Sequence, residues 1–406
     1  MTSQLILMNG FGVAVASDSV VTMGGTSRTY DTAEKVIPLA SPHRLAVLHS
    51  GSVRLHGLPY SVLVAEWVSS LGETPLRSVD QYRASFISWL ESNHQWFSSD
   101  VEFGDFMDQL EDAYRAIRKE MLDAEKQENL EPVESRVLAV VESWRDRLSR
   151  FEPFAAATES WVDATWSARE SKIKERFEYW FDDVVRTPAI DQAILEYSRL
   201  YVQRGQFLNR ATLAFVGYGR EEILPAFANV EMVSFLEGEL MFELLDSRSG
   251  DPNTVPYFGI RPLGQSSAID LFLRGVEQGS LNVAKRASSR VLNELRSSVK
   301  ELIQDEELWS RVDDAIETGT QEVFDAISDD VWDYSDQEFV DPLRGAIAGL
   351  PAADLAAVAK SLVELQALRQ TTTAELGTVG GPIDVATISR DRGFEWVRHK
   401  SMDIKF

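Results

Sequence analysis

TSQLILMNGFGVAVASDSVVTMGGTSRTYDTAEKVIPLASPHRLAVLHSGS, residues 2–52, is the stretch from which the rest of the chain is read. Gln4 to Met8 is an apolar strand-like run, Asn9-Gly10 is a strong two-residue hairpin signal, and Gly12 to Ala16 is a second, small-apolar strand that ends at Ser17-Asp18-Ser19. Lys35 to Leu39 and Leu45 to Leu48 form another pair around Ser41-Pro42-His43-Arg44. Two β-hairpins are therefore expected before helix begins beyond Ser52. Thr2 stands where removal of Met1 would make it the first residue.

Order and spacing across these four strands carry a resemblance. Thr2, Asp18 after the second strand, Lys35 opening the third and Gly51 in Ser50-Gly51-Ser52 are similar in placement to the working residues of the proteasome β-subunit and its simpler bacterial relatives, peptidases of the N-terminal-nucleophile hydrolase superfamily. A second match lies near the other end, where Gly380-Gly-Pro-Ile-Asp-Val-Ala-Thr-Ile388 is similar to the strand that pairs back beside the N-terminal strand in that family. Between them, Ala211 to Gly219 reads as a buried strand and Glu231 to Leu245 as a hairpin turning at Glu237-Gly238. The resemblance implies an α+β fold, a four-layer αββα sandwich of two antiparallel sheets with added helical insertions. It divides the chain into core at 1–72, helical insertion at 73–204, core continued at 205–279, helical insertion at 280–350 and core completed at 351–406.

The chemistry of these residue types can be argued from the residues themselves. A threonine hydroxyl is a weak nucleophile, but the free α-amine of the same residue, with a pKa of about 7.7–8.0, is a base within reach of it. A neighbouring lysine ammonium depresses that amine's pKa and favours the ionised hydroxyl, and a carboxylate keeps the lysine charged and oriented. Lys35 and Asp18 take these two roles. An oxyanion needs a fixed donor, and glycine at a strand end lets a backbone N–H come close, which is the role given to Gly51.

The resemblance adds a supporting serine in the loop after Pro262. Aligned on Gly264, that place holds Gln265 with Ser266 beside it, so Ser266 is the candidate support; it is equally placed to cap the following helix. Leu376 and Val379 stand where the family has an Asp and a Ser near the nucleophile's amine. Residues lining the pocket for the residue before the cut are expected at His49 and Val53, with Val21 nearby.

The 406 residues suffice for two domains or for one core with large additions, and 44% hydrophobic with 26% charged residues is ordinary for a globular protein. No run reaches the length of a membrane span and no signal-like segment opens the chain, so the expected location is cytoplasmic. Zero cysteine excludes disulfides and thiol catalysis. A net charge of −24 argues against a nucleic-acid partner, and the five histidines show no metal-ligand spacing; neither metal nor cofactor is expected. Helical periodicity is clear from about Pro59 (Tyr60, Val64, Trp67, Val68, Leu71), at Phe106, Leu110, Tyr114, Ile117 and Met121, at Val137, Val141 and Trp144, and at Val291, Leu295, Val299 and Leu302.

The functional expectation is an N-terminal-threonine hydrolase, a peptidase working through an acyl-enzyme on Thr2. An inactive scaffold subunit and a small-amide hydrolase of the same superfamily are the alternatives. The partners implied are a peptide or protein substrate and further copies of the chain in a ring or stack. The analogy also admits an ATP-driven unfoldase, although no nucleotide motif is present.

Overall fold

A computed structural model describes residues 2–22, 29–30, 33–126, 131–205, 210–250, 252–253, 257–373 and 379–400. The chain divides into two units, one of Met1–Lys35, Ile223–Pro225 and Gly250–Phe406, the other of Val36–Glu222 and Ala226–Ser249.

In chain order the first unit opens with β1 (Ser3–Asn9), β2 (Gly12–Ser17) and a short ribbon of β3 (Val21–Thr22) and β4 (Thr29–Tyr30). The second unit follows with β5 (Val36–Pro38), β6 (Arg44–Gly51), β7 (Arg54–Leu55) and β8 (Leu58–Pro59). Its helices are α1 (Tyr60–Leu71), α2 (Val79–Ser92), α3 (Ser99–Glu125), α4 (Val133–Ser149), α5 (Glu159–Trp180) and α6 (Pro188–Arg204). Strands β9 (Ala211–Tyr218), β10 (Ala226–Leu236) and β11 (Glu239–Arg248) complete it. The chain then returns to the first unit through β12 (Phe258–Gly264), α7 (Ser267–Arg274), α8 (Gln278–Leu302), α9 (Glu306–Ser335), α10 (Asp341–Ala348), α11 (Ala352–Thr372), β13 (Asp384–Ser389) and β14 (Gly393–Arg398).

The first unit is built on an antiparallel sheet of order β12-β1-β2-β13-β14. Leu5 and Leu7 of β1, Ala14 and Ala16 of β2 and Val385 of β13 share a buried cluster with Leu355, Ala356, Ala359 and Val363 of α11. Alanines on both sides of this contact let the helix lie close to the strands. The second unit is built on the sheet β11-β10-β9-β6-β5, also antiparallel. Leu45, Val47, Leu213, Phe215, Ala228 and Val230 pack there with Trp67 of α1 and with Tyr82 and Phe86 of α2. Helices α3 to α6 bury a separate cluster, including Phe106, Leu110, Tyr114, Ile117, Val137, Ile194 and Tyr201, with Val233, Leu236 and Met241 from β10 and β11. The expected α+β class with two antiparallel sheets is thus what the chain adopts. Helix α2 joins the cluster of the sheet, whereas α3 to α6 pack in a cluster of their own with residues of β10 and β11.

Two local expectations need correction. The first hairpin turns at Gly10-Phe11 rather than at Asn9-Gly10, because Asn9 stays in the ladder opposite Gly12. Its side-chain oxygen accepts from the N–H of Phe11 at 2.9 Å and of Gly12 at 3.3 Å, and its amide donates to the carbonyls of Ile347 at 2.8 Å and Leu350 at 2.7 Å. The closing strand β13 pairs with β2, not with β1, whose other edge is taken by β12. Helix α7 ends at a left-handed Gly275, with Ile269 buried and Phe272 exposed. By contrast, the turn at Glu237-Gly238 is where the sequence puts it, with φ positive at both residues (49° and 79°).

Asn9→Ala removes four hydrogen bonds from a buried position at once. It is expected to lower stability by on the order of 1–3 kcal/mol, seen as a lower urea midpoint with an unchanged denaturant slope.

Candidate active site

β1 and β2 are held side by side with Gln4 opposite Ser17, which puts Ser3 opposite Asp18 and Thr2 one residue further along. Thr2 is buried, and its carbonyl accepts from the Gln265 N–H at 2.7 Å. Gly264 makes this approach feasible: it has φ +71°, and a Cβ on it would lie 2.2 Å from the Thr2 carbonyl oxygen. Glycine is therefore required there by conformation and by space.

Asp18 is fully buried and every contact of its carboxylate is to the same small region. Oδ1 accepts from the Ser3 backbone N–H at 2.9 Å and from Lys35 Nζ at 2.7 Å. Oδ2 accepts from the Gly380 N–H at 3.2 Å. The Asp18 N–H in turn donates to the Ser3 carbonyl at 3.1 Å. One carboxylate oxygen thus joins the peptide that follows Thr2 to the lysine ammonium.

Lys35 is buried, with Nζ also donating to the Val20 carbonyl at 2.6 Å, and its own carbonyl accepts from Gln4 Nε2 at 3.2 Å. Burial pushes its pKa below the ordinary lysine range; the Asp18 carboxylate opposes that shift and the Lys400 ammonium adds to it. The second cation was not anticipated from the sequence. Lys400 Nζ lies 2.5 Å from Asp384 Oδ2 and donates to the Ala33 carbonyl at 2.8 Å, while the Lys400 N–H donates to Asp384 Oδ1 at 2.8 Å. Asp384 and Lys400 are both buried. Ala33 is two residues from Lys35, so this second ion pair anchors the segment that delivers the lysine.

Asp18 and Lys35 are therefore bonded to each other beside the peptide that joins Thr2 to Ser3, within the first unit. Ser266 belongs to the same unit, at the entry to α7, where its hydroxyl donates to the Asp270 carboxylate at 2.6 Å and makes no capping bond to the helix backbone. Val21 is half-buried in β3, next to the Val20 carbonyl that holds Lys35. Gly51, His49 and Val53 belong to the second unit. Gly51 has φ +84° in the last position of β6, opposite Ala211, and His49 is buried on the same strand. Val379 is buried, whereas Leu376 and Met1 lie outside the described residues.

No family model matches the chain, and no curated protein matches it. Among solved structures, it is similar to an Anbu (Gly-1) mutant from Hyphomicrobium sp. strain MC1 at 12% identity and a TM-score of 0.31, over 99% of this chain and 88% of the other. It is also similar to Anbu (ancestral beta-subunit) from Yersinia bercovieri at 10% identity and a TM-score of 0.28, over 98% and 88%. Likeness at this level supports no assignment. The resemblance to proteasome β-subunit peptidases is accordingly corrected: neither sequence nor structure comparison places the chain in that family. The motifs that suggested it, glycine turns leading into small-apolar strands such as Gly380 to Ile388, are also what an antiparallel sheet of this kind needs for its own reasons. What stands is the α+β class and the geometry just described. Among the described residues no helix is long and apolar enough to cross a membrane.

Because the Lys400 ammonium is one of the influences holding Lys35 down, Lys400→Met is expected to raise the Lys35 titration midpoint. Side-chain amine NMR against pH measures it, and an unchanged or lower midpoint contradicts the coupling.

Proposed function

We propose that the chain is an N-terminal-threonine hydrolase that cleaves peptide bonds through an ester on Thr2 once Met1 is removed. The observation that supports this reading best is the sharing of Asp18 Oδ1 between the Ser3 N–H and Lys35 Nζ, which keeps a cation next to the first peptide of the shortened chain. A buried ion pair is otherwise an inefficient way to hold a sheet together, since the desolvation of both charges offsets their attraction.

In the proposed reaction the new α-amine of Thr2 takes the proton from its own hydroxyl, directly or through one water. The hydroxyl oxygen bonds to the substrate carbonyl carbon and the carbonyl π electrons move to oxygen. Collapse of this intermediate breaks the C–N bond, and the leaving amine departs with the proton. Water then repeats the sequence on the ester, releasing the acid and restoring Thr2. Lys35 supplies the positive charge that lowers the amine's pKa into a useful range and favours the developing alkoxide. Asp18 positions Lys35 and, through Gly380, the turn that enters β13. The peptide-bond specificity and the choice of Thr2 as nucleophile rest on the reading of the sequence, which the placement of Lys35 and Asp18 beside the Thr2–Ser3 peptide supports.

The test is labelling by an epoxyketone or β-lactone probe of protein matured in its native host. Wild type is expected to carry one adduct on an N-terminal Thr2. Thr2→Ala and Lys35→Ala should each lower labelling by at least about 10²-fold, the scale of losing a major catalytic group, with far-UV circular dichroism unchanged for Thr2→Ala. Retention of Met1, or wild-type labelling of Thr2→Ala, would refute the proposal.

A further inference from the structure

One cleft in the second unit has no part in the site described above. Three helix faces meet around it, with Gln109, Ala113 and Ala116 on α3, Trp144 on α4, and Tyr197 and Tyr201 on α6. Residues three and four apart share a helix face, which is why each helix presents these side chains together. The cleft holds about 550 Å³, the size class of small-molecule sites and well beyond the voids that a packed interior tolerates. Its cause is local. On α3, Leu110, Tyr114 and Ile117 fill the buried cluster, while the face beside them carries the two alanines and leaves the groove toward α4 and α6 unfilled.

The walls are aromatic and the mouth is basic. Trp144 stands edge-on to Tyr197, with ring centroids 6.4 Å apart, and Tyr197 is 5.9 Å from Tyr201. Burial of both tyrosines pushes their pKa values up, so their hydroxyls stay neutral. Arg147, also in the lining, lies 4.0 Å over the Trp144 ring and 3.7 Å from the Glu120 carboxylate. Arg150 is exposed at the rim and has no acidic partner among the described residues. Asp112, the carboxylate in the lining, is already bonded by Arg115. Two guanidinium groups are thus set against one neutralised carboxylate, in a chain whose net charge is −24. Deeper, the Gln109 carbonyl lies 3.5 Å from the Tyr201 hydroxyl. Gln109 is only 4% exposed, and its side-chain oxygen has no hydrogen-bond partner among the described residues. A buried amide oxygen in that state lowers stability unless something bonds it. The last torsion of a glutamine is broad and roughly two-fold, so either end of the amide can be turned to a ligand.

We infer that this cleft binds a small aromatic carboxylate that carries a hydroxyl at the end away from its acid group. The flat body lies among the Trp144, Tyr197 and Tyr201 rings, in the space the alanines leave, where ring contacts add to apolar burial. The carboxylate stays at the mouth and accepts from Arg147 and Arg150, whose planar forks match it. The hydroxyl reaches the Gln109 amide and gives its oxygen the missing donor. A cationic ligand would suit the rings equally well, but it would meet two guanidinium groups on entry, so charge selects the anion. All of these residues belong to the second unit. The inference therefore does not depend on the hydrolase reading of the first.

The test is calorimetric titration of the full chain with 6-hydroxy-2-naphthoate. Saturable binding is expected, at least about tenfold tighter than that of the uncharged 6-hydroxy-2-naphthamide, the scale of one charge-assisted hydrogen bond. It should also be severalfold tighter than that of 2-naphthoate, which lacks the hydroxyl. Arg147→Gln with Arg150→Gln should remove the preference for the acid over the amide with an unchanged thermal midpoint, because both side chains are exposed. Gln109→Met should remove the preference for the hydroxylated acid and leave the thermal midpoint equal or higher. A glutamine with a merely structural role would instead lose stability on that change and keep the preference. Ala116→Trp, which fills the cleft, should abolish binding. No saturable binding by wild type, equal affinity for the acid and the amide, or binding untouched by Ala116→Trp overturns the inference.

Discussion

A lysine ammonium buried against one carboxylate is the constraint around which the first unit is arranged. Lys35 and Asp18 are both almost completely removed from water, and neither is tolerable there without the other: breaking such a pair typically costs about 3–5 kcal/mol. Asp18 satisfies its remaining capacity with backbone donors from Ser3 and Gly380, which ties together the first strand, the end of the second and the turn into β13. Lys35 satisfies its own with the Val20 carbonyl. Thr2 is a consequence of this arrangement, because the residue before Ser3 has no freedom to leave once the Ser3 N–H is bonded and Gly264 and Gln265 close on its carbonyl.

The pair of Lys400 and Asp384 repeats the device a short way off. It is equally buried, and its bond to the Ala33 carbonyl fixes the approach to Lys35 from the other side. Two ammonium groups within electrostatic range of each other, each with one carboxylate, are a costly structure for a sheet that already has an apolar cluster under α11. Two such buried pairs in the unit that holds Thr2 are in line with the proposal that this threonine is a nucleophile.

Much of this was legible in residues 2–52. The apolar runs flanking Gly10 could only be a hairpin, and a hairpin of that length brings Asp18 opposite Ser3, next in the chain to Thr2. Lys35 was legible because it opens the next strand after a loop too polar to be anything else. The Glu237-Gly238 turn was legible because few residues accept two successive positive φ angles. Contacts that span the sequence were not. Nothing near Lys400 or Asp384 announces that they pair with each other, or that Ala33 accepts from a lysine 367 positions later. Asn9 looked like a turn residue because its preference for turns is strong, yet its amide is spent on the end of α10, which no local pattern encodes. The proteasome-like reading of the strand-bearing segments outran its support for a related reason: short glycine and small-apolar motifs match many sheets.

The most direct measurement of the central claim is the pKa of the Thr2 α-amine in the matured protein, followed by ¹⁵N NMR with labelled threonine. A neighbouring ammonium predicts a midpoint below the ordinary 7.7–8.0 of an α-amine, moving back toward it in Lys35→Met. An amine that titrates at the ordinary value in both proteins, or a chain that still begins with Met1, would contradict the account.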